Sequence, residues 1–132
     1  MDQTTLVMPD LSAGQEALAV LDQANIEQIA ALFMLDEEYG SWRFVLSSPS
    51  LDQVHSLKAH EQVHAILRGQ FVYRLPLLLI LPVKDPFMRE LRKKLGGRIN
   101  ASGRIPVSLE GLRIAGRYIS AGYLLRFPGI MK

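Results

Sequence analysis

LPLLLILPVKDPFMRELRKKL, residues 75–95, joins the most apolar run of the chain to its most basic one. Leu75 to Val83 holds seven aliphatic residues and two prolines. That is far short of the ~20 apolar residues of a membrane span. With no polar face, it reads as a central strand covered on both sides. Pro76 and Pro82 each remove a ladder donor and belong near the strand ends. Asp85 before Pro86 has the form of an N-cap followed by proline at the first helical position. The helix is expected to run to about Leu95 and to stop at Gly96-Gly97.

Upstream of this stretch lies a helix expected from Ser50 or Asp52 to about Arg68, stopped by Gly69. Its apolar residues make no single clean stripe: Val54 and Leu57 favour one side, Ala59, Val63, Ile66 and Leu67 another. Before it, WRFVLSS alternates and DEEYGS is a turn cluster, which predicts a hairpin. Its strands are about Ile29 to Asp36 and Trp42 to Ser47, with Trp42, Phe44 and Leu46 on one face. Helix continuation through Leu35 is the alternative. Ser12 to Gln23 reads as a first helix, capped by Ser12 and broken at Asn25, and residues 1–11 as an arm. Downstream, Gly97 to Phe127 is β-rich. Ile105, Val107 and Leu109 alternate, Glu110-Gly111 offers a turn, and Gly116 and Gly122 imply bulges or a break into two strands.

The chain has 132 residues, 48% of them hydrophobic and 21% charged, which suits one domain with a real core. With no cysteine it has no disulfides and no thiolate metal sites. The N-terminal stretch has no basic n-region, so a cytoplasmic protein without a membrane segment is expected. The net charge of +2 hides an asymmetry. Residues 1–83 carry ten acids against Arg43, Lys58, Arg68 and Arg74, whereas residues 84–132 carry eleven basic residues against Asp85, Glu90 and Glu110. Either the halves neutralise each other in the fold or they form two faces of opposite sign.

The sharpest local motif is His60-Glu61-Gln62-Val63-His64, within the expected helix. Histidines at i and i+4 share a helix face and can hold one zinc ion, while the intervening glutamate can activate a metal-bound water. In these five residues the chain resembles the zincin metalloproteases. That resemblance implies His60 and His64 as zinc ligands and Glu61 as the general base. The metzincin continuation is absent, since positions 67 and 70 are Leu67 and Gln70. His55 lies off the His60 face. Asp36, Glu37 and Glu38 form an acidic hairpin tip, read as a solvated turn. No phosphate loop is present, because Gly96-Gly97 follows a helix instead of opening one. No nucleophile elbow surrounds Ser47, Ser48 or Ser50.

The remaining signal is basic. Arg89, Arg92 and Lys93 stand at i, i+3 and i+4, with Phe87, Met88, Leu91 and Leu95 on the apolar side. Arg98, Arg104, Arg113 and Arg117 extend the patch, which could meet phosphates or acidic groups. The expectation is thus a single α+β domain in the order α-β-β-α-β-α-β-β, with a mixed, mostly antiparallel sheet packed by about three helices. The leading functional expectation is a non-enzymatic binding or assembly module that uses Arg89, Arg92, Lys93 and Arg98. Its partner would be another protein, a second copy or nucleic acid, with no cofactor. The alternative is a zinc-dependent hydrolase using His60, Glu61 and His64.

Overall fold

The computed structural model describes residues 10–36, 40–67, 77–102 and 107–127. Residues 1–9 of the arm expected over residues 1–11, the acids Glu37 and Glu38, Gly69, Arg104 and Ile105 lie outside them, while Asp10 and Leu11 belong to the first helix. Helix α1 spans Leu11–Gln23, and its cap is Asp10 instead of Ser12. The Asp10 carboxylate accepts the Ala13 N–H at 2.9 Å. Asn25, at φ 67°, ends the helix. The Ile26 N–H reaches the Leu21 carbonyl and the Asn25 N–H the Asp22 carbonyl, both characteristic of a Schellman turn.

Strands β1 (Ala30–Asp36) and β2 (Ser41–Ser47) form the expected hairpin, paired from Ala30 with Ser47 to Asp36 with Ser41. The β-branched and aromatic alternation of WRFVLSS outweighs the helix formers of the first strand. The single helix expected next is two: α2 (Pro49–Asp52) and α3 (Ser56–Leu67). Ser48, not Ser50, caps α2, and the break explains the irregular stripe. Val54 belongs to the joint, Leu57 is exposed, and Ala59, Val63 and Leu67 form a regular buried row.

Strand β3 (Leu77–Ile80) is shorter than expected and lies at an edge. The five-stranded sheet has the order β3-β2-β1-β7-β4, where β4 is Val107–Ser108 and β7 is Gly122–Arg126. β3 runs parallel to β2, and the other pairs are antiparallel. The apolar run misled because both of its faces do meet helices or loops. Leu78 and Ile80 enter one core while Leu79 and Leu81 pack against the other. Leu77, however, is 61% exposed, and among the described residues no strand lies beyond it. An edge position also accommodates proline, and Pro82 follows two residues after the strand.

Helix α4 (Pro86–Ser102) passes through Gly96-Gly97 instead of stopping there. A glycine costs about 1 kcal/mol relative to alanine in a helix but leaves its hydrogen bonds intact. It ends a helix only where the chain turns left-handed. β5 (Arg113–Ile114) and β6 (Arg117–Tyr118) form a separate two-stranded ribbon, so the tail does break at Gly116. The result is a mixed, mostly antiparallel sheet of the α+β class, with four helices among the described residues. No described helix is long and apolar enough to cross a membrane.

The sheet separates two cores. α1 and α3 cover one face, packing on Ala31, Phe33, Phe44, Leu46 and Leu125. α4 and the β5–β6 ribbon cover the other, packing on Leu32, Met34, Val45 and Leu124. The register of β1 against β7 slips between Ala31 and Leu32. This bulge lets Leu125 and Arg126, adjacent in sequence, both serve the α1 side. α1 approaches closely because Gly14 has no side chain. A Cβ there would lie 2.7 Å from Leu125 Cδ1 and 3.0 Å from Phe33 Cζ.

Gly14→Ala therefore sets a helix-propensity gain of ~1 kcal/mol against an overpacking cost of ~1–3 kcal/mol. The expected outcome in urea unfolding is a net loss of about 1 kcal/mol. A gain in stability would mean that α1 does not seat on Phe33 and Leu125.

Candidate functional site

The α4 face is built from the cap outward. The Asp85 carboxylate accepts the Phe87 N–H at 2.9 Å, and Pro86 fixes the first turn. Phe87, Met88, Leu91 and Leu95 are buried, as their spacing implies. Arg89 and Lys93 are exposed on the opposite side and form no ion pair among the described residues. Arg92 differs from its neighbours. It is half-buried, with its guanidinium 5.2 Å from the centre of the Phe127 ring, so it serves packing as well as charge. Lys94 is 3.9 Å from Glu90, a weak exposed pair. Arg98 lies on α4, but its side chain is outside those described.

Beside α4 stands the β5–β6 ribbon. Its two-residue turn, Ala115-Gly116, has φ of 53° and 80°. Positive φ at both central residues is the type I′ turn that matches the twist of a hairpin. Gly116 adopts it freely, whereas Ala115 is strained there. The turn brings Arg117 to a cleft of about 300 Å³ between ribbon, helix and sheet. The cleft meets Met34, Leu79 and Leu81 on the sheet side, Asp85, Pro86 and Phe87 at the start of α4, and Ile114, Ala115 and Arg117 on the ribbon. Arg117 is exposed and unpaired among the described residues.

The other helical layer is acidic. Asp10, Glu16, Asp22, Glu27, Asp52 and Glu61 lie on or beside α1 to α3, where Lys58 is the one described lysine or arginine. Of the two arrangements the charge asymmetry allowed, separate faces dominate. Among the described residues one ion pair joins the acidic half to the basic half: Arg126 grips Asp22 with two hydrogen bonds of 2.8 and 2.9 Å. Those bonds hold the Asp22 carboxyl below its ordinary pKa, against a smaller upward push from burial. Asp36 pairs instead with Arg43 inside the hairpin, at 3.4 Å.

The histidine motif occupies a different place. His60 Nε2 accepts the backbone N–H of Ile80 at 3.3 Å. In a parallel edge strand alternate N–H groups point away from the sheet. Leu81 donates inward to Leu46, and Ile80 donates outward to His60. A metal on His60 Nε2 would displace that bond. His64 and Glu61 are exposed, and no group of three or more histidine or carboxylate side chains among the described residues could hold a metal ion. His55 precedes α3, where its Nδ1 accepts the Lys58 N–H at 3.4 Å. Asp52 likewise accepts the Val83 N–H at 3.1 Å. Side chains of the acidic layer thus fasten the edge strand and the loop after it.

No protein-family model, curated protein or solved structure matches this chain. The site therefore rests on its geometry. The sequence pattern singles out Arg89, Arg92 and Lys93, of which Arg89 and Lys93 are exposed, but not the cleft, because Leu79, Leu81 and Phe87 read as ordinary core. The nearest available signal was the ribbon turn before Arg117.

If the His60 bond secures β3, His60→Ala should cost about 1–2 kcal/mol in urea unfolding, since it orphans the Ile80 N–H. His60→Gln, which offers an acceptor of similar reach, should recover part of that loss. Wild-type stability in His60→Ala would contradict the assignment.

Proposed function

We propose that this chain is a non-enzymatic binding or assembly module that engages an acidic partner through the exposed surface of α4 and the β5–β6 ribbon. The observation that carries this reading is the sorting of charge by the sheet. Basic side chains outnumber acidic ones on the α4 and ribbon layer, where Asp85, Glu90 and Glu110 are the described acids, acidic ones predominate on the other, and Arg89, Lys93 and Arg117 stand exposed without ion pairs among the described residues. Charges left in this state contribute little to stability. They do produce a field that accelerates encounter with anions and falls off with salt. A protein segment, a nucleic acid or the acidic layer of a second copy could each meet such a face. In the last case the contact would be heterologous, joining unlike faces of two copies.

The test is binding to a polyanion across a salt series. At ~50 mM salt the wild-type protein should bind a heparin or single-stranded DNA probe, and affinity should fall as salt rises. Arg89→Ala and Lys93→Ala together should weaken binding. They should also flatten the logarithmic salt slope for DNA by up to about two units, with stability within ~0.5 kcal/mol of wild type. Arg92 is left in place because of its contact with Phe127. A wild-type protein that ignores polyanions at that salt would remove the reading.

A further inference from the structure

We infer that the cleft beside α4 receives a bulky apolar side chain from an acidic peptide segment, whose carboxylates then run along the basic stripe of the helix. This rests on the proposed binding role of the α4 face and names the partner chemistry. Two structural features converge. The first is the cleft, about 300 Å³, with apolar walls that include Leu79, Leu81, Phe87 and Ile114. That is the low end of the size range for ligand sites and fits one large side chain better than a whole cofactor. The second is where it opens. Pro86 lines the cleft, and Arg89 and Lys93 follow it at i+3 and i+7, one stripe of the helix. At ~1.5 Å per residue, Lys93 lies about 10 Å along the helix from Pro86. An extended peptide covers that distance in about three residues. An apolar anchor followed about three residues later by acids therefore fits both features at once.

Arg117 strengthens the match. It stands at the cleft without an ion pair among the described residues, positioned by the strained Ala115 turn. Asp85 also lines the cleft, but its carboxylate is engaged by the Phe87 N–H at the start of α4. The apolar walls are aliphatic apart from Phe87, which is buried, and this favours a peptide over a nucleic acid, which would call for exposed stacking surfaces and phosphate contacts.

The experiment measures fluorescence anisotropy at ~50 mM salt with the full chain. The probe is a labelled peptide with a central leucine and glutamates that begin three residues away on either side. Its control carries serine for leucine. Wild type should bind the leucine peptide at least ~10-fold more tightly, the ratio expected for burying one such side chain. Leu81→Phe, at a half-buried position of the cleft, should abolish the difference. Arg89→Ala and Lys93→Ala together should weaken both peptides alike. The wild-type ratio stands as a test even if Leu81→Phe proves unstable. Equal binding of the two peptides overturns the cleft assignment and leaves the basic-face reading intact. Absence of binding to either peptide and to heparin overturns both. A short DNA strand that displaces the leucine peptide and binds more tightly, or decanoate binding as tightly as the peptide, also overturns the peptide assignment.

Discussion

The structure depends on one strand that must be buried on both sides. Ala30 to Met34 of β1 are all buried, and they alternate between the two cores. Ala31 and Phe33 face α1 and α3, while Ala30, Leu32 and Met34 face α4 and the ribbon. Phe33 lies 5.3 Å from Phe44 between ring centres, and it also faces Gly14 of α1. A strand with no polar face needs a cover on each side. The helices supply it, so each helical layer is held by apolar contact with the sheet and not by attraction between layers.

That arrangement explains how a blockwise charge pattern in the sequence becomes two faces in space. The chain places α1, α2 and α3 on one side of the sheet before it crosses to the other with α4 and the ribbon. Acids early in the sequence and bases late in it are thereby separated by the thickness of the sheet. The Asp22–Arg126 pair is the described exception, made possible by the β7 bulge that turns Arg126 toward α1. Such an exposed pair adds little energy, and its effect on stability weakens as pH falls through the lowered Asp22 pKa.

Local chemistry made much of this fold legible. The alternation from Trp42 to Ser47 revealed the hairpin, and Asp85-Pro86 revealed the start of α4. The same cap-proline pattern at Ser48-Pro49 is masked in the sequence by Ser50 and Asp52, which offer competing caps but serve other bonds, to Glu27 and Val83. What the sequence hid depends on partners distant in the chain. Whether Leu77 to Ile80 is central or at an edge depends on what lies beyond it, which its own residues do not record. The histidine spacing is real, but His60 is turned to Ile80, twenty positions away. The cleft arises where three distant segments meet without filling the space between them. The basic stripe was legible because helical spacing alone generates it.

If α4 and the ribbon form the proposed binding face, α1 and α3 serve stability and not binding. Amide chemical-shift mapping with a short polyglutamate at low salt tests it directly. Shifts are expected to concentrate at Arg89, Lys93 and the Ala115–Arg117 turn, with α1 and the His60–His64 turn of α3 unmoved. Shifts centred on α1 or α3, or spread evenly over both layers, would contradict it.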